Sequence, residues 1–191
     1  MNKELQLIVK LVACQFKFEP ASLAAFVEIE SGGKGFNNDG KILIQFEPHY
    51  FKKREPYAPS GAWSVNKVDV QSKEWIAFNN AFKIDQNSAM ESTSIGLGQI
   101  MGAHWKRLGF KSVGEMWDHA KKSLENQVWQ IAKFIDTDKN LQFALKTGDW
   151  HKVASIYNGS GYKEIARKYG REPYNISMAK AYGKYKAVFQ K

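Results

Sequence analysis

Apolar residues recur at helical spacing over most of this chain. Leu5, Ile8, Val9 and Val12 fall on one side of a helix predicted over about residues 3–16. A second helix follows Pro20, with Leu23, Phe26 and Val27 in one stripe. Beyond residue 72 the pattern stays helical. Trp75, Phe78 and Phe82 form one stripe, and Leu124, Val128, Ile131 and Ile135 form a long one that reads as the core helix of a larger lobe. Trp150, Val153, Ala154 and Tyr157 make another, and Met178, Tyr182, Tyr185 and Phe189 mark the last helix. Ser112-Val-Gly-Glu115 has the form of a capping box ahead of Met116 and Trp117. One stretch departs from this rhythm. Phe36-Asn-Asn-Asp-Gly40 is a turn signal, and Ile42-Leu-Ile-Gln-Phe46 reads as a short strand. Residues 52–71, with Pro56, Pro59 and Gly61, read as a long irregular loop. The sum is an α+β fold, mostly helical, with a small β element after the second helix.

The 191 residues suit one domain, residues 1–191, with room for small subdomains. No repeat, low-complexity tract or interdomain linker is visible. The single cysteine, Cys14, excludes an internal disulfide. Leu11-Val-Ala-Cys14 resembles a lipoprotein cleavage box in form. Glu4 and Lys10, however, interrupt what would have to be an apolar signal core, so Cys14 is read as a buried residue of the first helix. With no signal peptide and no apolar run near the ~18 residues of a membrane helix, the expectation is synthesis in the cytoplasm. The net charge of +9 and pI of about 9.5 imply an anionic partner. Without an RNA-binding signature, zinc-finger spacing or a Gly-rich phosphate loop, no nucleic acid is expected. His49, His104, His119 and His151 are scattered, so no metal and no cofactor are expected.

The candidate chemistry starts at Glu30. It falls at the next position of the second helix's apolar stripe, seven residues after Leu23 and four after Phe26. A carboxyl there should be desolvated, and its pKa raised. Glycoside cleavage needs such a proton donor. Ser31-Gly32-Gly33 then ends the helix and leaves open backbone beside it. Glu28 lies about 200° away around the helix at roughly 100° per residue and should face solvent or a polar neighbour.

Three segments then line up in order: Glu30-Ser-Gly-Gly33, Ser94-Ile-Gly-Leu-Gly-Gln-Ile-Met101 and Tyr157-Asn158-Gly159. They resemble the lysozyme-like superfamily, especially goose-type lysozymes and soluble lytic transglycosylases. With Phe46-Glu-Pro-His-Tyr-Phe51 added, the chain is more closely similar to the N-acetylmuramidase family of phage and prophage endolysins, over roughly residues 20–185. The resemblance implies a lysozyme-like fold and cleavage of the β-1,4 bond between N-acetylmuramic acid and N-acetylglucosamine, with Glu30 as general acid. It also implies a monomeric enzyme that acts on periplasmic peptidoglycan after release by a holin-like partner. No separate cell-wall-binding domain is visible.

Other site residues carry alternatives. Ser94 and Gln99 lie in the segment expected to contact substrate, though Gln99 also suits a turn-stabilising role. Tyr157 could approach the acid or simply pack in the core, and Asn158 could line the cleft or cap its helix. Glu47, at the end of the strand, is the preferred assisting carboxylate. Asp39 is a rival that also reads as an Asx-turn residue, and Glu91 is a third candidate. A lytic transglycosylase, which closes a 1,6-anhydro ring with one acid/base, is the alternative within enzymes. Outside enzymes the alternative is a non-catalytic cationic module for cell wall or nucleic acid. Residues 163–191 carry eight basic and two acidic side chains. Together with the stripe of the last helix they could touch an anionic outer membrane, or dock their aromatics on the core beneath an ordinary solvated face.

Overall fold

The computed structural model describes residues 1–65 and 70–190. The part of the predicted loop at 66–69 and the terminal Lys191 lie outside the described residues. The chain divides into two compact units, one of residues 1–33 and 131–191, the other of residues 34–130.

The first unit is helical. Helix α1 (Lys3–Phe16) starts at Asn2, whose side chain accepts from the Leu5 N–H at 2.9 Å, and it buries Leu5, Val9, Val12 and Ala13. Cys14, expected inside, is exposed. It follows the buried Val12–Ala13 pair, and the helix has turned it outward to the side that Leu7 and Leu11 also occupy. Helix α2 (Pro20–Ser31) is buried on every side from Ala21 to Val27, so it is a central helix rather than one with a single apolar stripe. It ends at Gly32, whose φ of 60° turns the chain, with its N–H on the Glu28 carbonyl.

The last turn of α8 (Leu124–Asp136), α9 (Lys139–Thr147), α10 (Trp150–Tyr157), α11 (Tyr162–Lys168) and α12 (Tyr174–Phe189) complete this unit. Helix α12 packs along α2 and buries Tyr174, Met178, Ala181 and Tyr185. Its lysines have partners in the unit: Lys180 pairs with Glu172 and Lys184 with Glu28. Tyr182 donates to Glu19 at 2.9 Å. The aromatics of the last helix are thus docked on the core, the second of the two readings its pattern allowed.

In the second unit lies an antiparallel sheet in the order β1 (Ile44–Phe46), β2 (Thr93–Ile95), β3 (Ile100–Met101). The register pairs Gln45 with Ser94 and Ser94 with Met101. Sequence reading placed a strand over 42–46 and helix beyond 72. The structure starts β1 at Ile44, leaving Ile42 in an isolated bridge to Phe36, and adds two strands within 93–101. Strands of three and two residues are too short to show a period of two.

The free edge of β1 is closed by side chains of α4 (Gln71–Phe82). Gln71 exchanges two hydrogen bonds with the Ile44 backbone, at 3.1 and 2.8 Å, and the buried Glu74 accepts from the Phe46 N–H at 2.8 Å. The predicted loop 52–71 is shorter than expected. Helix α3 (Pro48–Arg54) reaches into it, and a 3-10 turn over Ala62–Val65 buries Trp63 edge-on against Phe51. In the turn at 37–40 the side-chain acceptor is Asn37, which takes the N–H groups of Asp39 and Lys41; Asp39, read as the Asx residue, is exposed. The capping box forms ahead of α7 (Val113–Lys122), with Ser112 accepting from the Glu115 N–H. Glu115 reaches back to the Lys111 N–H.

Candidate active site

In the first unit Glu30 sits in the last turn of α2, where the buried run has just ended. The residue keeps part of its surface open. Tyr174, in the first turn of α12, donates its hydroxyl to Glu30 Oε1. Its ring lies 6.3 Å from that of Tyr157, nearly parallel, and Tyr157 packs on Phe26 at 4.8 Å and on Phe134 at 5.5 Å. The acid thus stands beside a wall of four aromatic rings. Burial pushes the Glu30 carboxyl up to about 7, and the Tyr174 hydrogen bond pulls it partly back. Among the described residues no Lys, Arg or His pairs with it. Burial and the neighbouring Glu30 carboxylate push the Tyr174 phenol well above its ordinary value, so it remains a protonated donor.

Glu28 has the opposite environment. Burial pushes its carboxyl up, but hydrogen bonds from Lys184 and Tyr185 outweigh that and leave it below its usual value. Two carboxylates two residues apart on one helix are driven in opposite directions. Glu30 is thereby left able to hold a proton near neutral pH, and Glu28 is left ionised.

Tyr174 was missed by the sequence reading. The signal was present: Tyr174 lies four residues before Met178 and extends the stripe of the last helix by one turn. Of the predicted residues, the first unit brings Tyr157 into the rings beside Glu30. Asn158 is exposed, and its N–H closes the end of α10 on the Ala154 carbonyl.

The second unit carries the other candidates. Glu47 stands at the start of α3, half-buried, with its carboxylate 3.5 Å from His49 Nδ1 and its N–H on the Ser92 carbonyl at 2.9 Å. Ser94 is buried in the middle strand. Gln99 has a φ of 46° and donates its amide to the Gly96 carbonyl at 2.8 Å, so it holds the β2–β3 turn. Glu91 accepts from Arg54 at 3.1 Å and from the Trp105 indole at 2.8 Å, a cross-link between elements.

Sequence reading also missed Gln127, a buried side chain of α8 that accepts from the Leu97 N–H at 2.9 Å and donates to the Ala120 carbonyl at 3.0 Å. Gly96, at φ 66°, sits against it: a Cβ there would lie 2.7 Å from Gln127 Oε1. Among the described residues no cluster of three or more His, Cys, Asp or Glu side chains could hold a metal ion.

Residues 19–186 match the N-acetylmuramidase family. The chain belongs to that family. This muramidase also resembles the crystal structure of the Burkholderia AP3 phage endolysin, with a TM-score of 0.79 and 29% identity over 96% of this chain and 70% of that one. No curated protein matches it. The muramidase is a glycoside hydrolase acting on peptidoglycan, with the mostly helical α+β fold expected from its pattern. Among the described residues no helix is long and apolar enough to cross a membrane.

Proposed function

We propose that the muramidase is an endolysin that cleaves the β-1,4 bond between N-acetylmuramic acid and N-acetylglucosamine, with Glu30 as general acid. The observation that carries this reading is a carboxyl raised to about 7 by burial and held by one neutral donor, Tyr174. Protonated Glu30 gives its proton to the glycosidic oxygen as the C1–O bond breaks and positive charge develops on the sugar ring. Glu30, now a carboxylate, takes a proton from the water that adds to C1, and the acid is restored. Glu47 is the residue we assign to assist the developing charge, and Gln99 and Asn158 are assigned to positioning the glycan.

One observation favours a second reading, the lytic transglycosylase. The carboxylate nearest Glu30 in sequence, Glu28, is bound to Lys184 and Tyr185, and an acid with a pKa of about 7 can serve as both acid and base. The muramic acid 6-hydroxyl would then replace water and close a 1,6-anhydro ring.

Mass spectrometry of muropeptides released from purified peptidoglycan tests both readings. Products ending in reducible N-acetylmuramic acid are expected. Products lighter by one water and not reducible would replace hydrolysis with transglycosylation. Glu30→Gln is expected to lower release by about 10²–10⁴-fold, and a variant within a few fold of the parent overturns the acid assignment. Glu47→Gln is expected to slow hydrolysis; unchanged rates would remove Glu47 from the mechanism. We further take the enzyme to act as a monomer, reaching periplasmic peptidoglycan only after release from the cytoplasm by another protein. Its positive charge would draw it to anionic envelope polymers.

A further inference from the structure

A cavity of about 610 Å³ opens in the first unit at the end of α2 opposite Glu30. Its walls are apolar: Phe16 and Phe18, whose rings stack at 5.9 Å, with Leu23 and the exposed Phe143. Its rim carries Lys17, Lys139 and Lys146, and among the described residues none of the three makes an ion pair. The rim also holds two acids, and both are engaged. Glu19 accepts from the Tyr182 hydroxyl, and Asp136 pairs with Lys133 at 3.3 Å. Ser22 and Gln142 add polar groups. The size is that of a small-ligand site, and with Asp136 paired and Glu19 still ionised beside a neutral donor, the three lysines leave the rim net positive. The ligand that fits is an anion with a short apolar body.

The geometry points to a binding site for the stem peptide of peptidoglycan. The inference rests on the reading that peptidoglycan is bound with its scissile bond at Glu30. The N-acetylated sugars of the glycan are uncharged at the ring, and the strand's negative charge lies on carboxylates of its alanine-rich peptides. Methyl groups suit the phenylalanine walls, and carboxylates suit the three lysines. Leu23 in the cavity wall and Glu30 lie seven residues apart on one face of α2, about 10 Å along the axis. The helix between them is buried, so a stem peptide enters the cavity over the surface and not along α2.

The test is titration of the full-length, isotope-labelled protein with the soluble tetrapeptide L-alanyl-γ-D-glutamyl-meso-diaminopimelyl-D-alanine, followed by amide NMR, with octanoate as a control. Shifts confined to residues 16–23 and 135–146 are expected, with octanoate binding more weakly. The double variant Lys139→Glu/Lys146→Glu is expected to lose affinity about tenfold. Phe143→Ala removes an exposed ring, leaves the core intact and is also expected to weaken binding. No shifts, shifts elsewhere, equal binding of octanoate, or affinity unchanged in both variants would each overturn the site. Peptide binding is read without turnover. An active Glu30→Gln enzyme that still binds peptide here would therefore remove the acid assignment and leave the cavity, and the reverse pattern would do the opposite.

Discussion

Glu30 and Tyr174 form the pair on which the proposed chemistry turns, and each makes a distinct demand on pH. The Tyr174 hydroxyl donates to the ionised carboxylate and so opposes the effect of burial. Removing it in Tyr174→Phe raises the Glu30 pKa further above about 7. The alkaline limb of the kcat/KM profile is then expected to move up by about one unit, since a hydrogen bond to a charged group is worth about 1.5–3 kcal/mol. The maximal rate should fall severalfold as the carboxyl loses its orientation. An unmoved limb would separate Tyr174 from the acid. Stability follows the same carboxyl. The folded pKa of Glu30 is above its ordinary value of about 4.5, so the folded state binds the extra proton between about 4.5 and 7. Stability therefore falls as pH rises through that window. Glu30→Gln is expected to melt higher than the parent at pH 8, by up to about 3 kcal/mol, with the gain shrinking toward pH 4. Thermal melts across pH check this, and a parallel offset at every pH would contradict the raised pKa.

At the scale of elements, α2 and α12 work as a clamped pair, and the clamp is polar at both carboxylates. The folded pKa of Glu28 is lowered, so the stability it contributes is present above the ordinary carboxylate range and is lost as pH falls through its folded value. Tyr185→Phe should cost about 1–3 kcal/mol near neutrality, with the penalty fading in acid. In the second unit Gln127 plays the matching part for the β2–β3 turn. Gln127→Leu leaves the buried Leu97 N–H without its acceptor and is expected to cost about 1–3 kcal/mol in denaturant melts. Gly96→Ala should cost more than about 1 kcal/mol, because it combines a left-handed φ with a close approach to Gln127. These elements also show what a sequence discloses. Helices α1 and α8 were legible because four apolar positions repeat at helical spacing, and α2 was legible from three although it is buried on every side; the desolvation of Glu30 was legible from its place seven residues after Leu23. Tyr174 and Gln127 lay on the stripes of α12 and α8 but are polar, and periodicity alone does not say which polar group a buried face will meet. Strands β2 and β3 were not legible, being held by glycine turns and cross-strand hydrogen bonds that leave no period in so few residues.

For the whole molecule, charge and chemistry act over different distances. The chain carries +9, and two lysines of its last segment, Lys180 and Lys184, are held by Glu172 and Glu28. The remaining excess is still positive. Spread charge attracts an anionic polymer at long range and is screened within a Debye length of about 8–10 Å at 0.1–0.15 M salt. It raises the rate of encounter more than the strength of any one contact. The desolvated Glu30 carboxyl, by contrast, is held by burial and a neutral donor, and salt barely reaches either. Lysis of suspended sacculi is therefore expected to slow severalfold between about 0.05 and 0.5 M salt, while cleavage of a short glycan fragment whose lactyl carboxyls are amidated changes little. Parallel turbidity and fragment assays measure the two rates. An equal loss on both substrates would place the salt-sensitive charge at the reacting bond, and a desolvated acid without a cationic partner gives no reason for that. An equal indifference would mean that diffusion to the wall is not helped by the molecule's field.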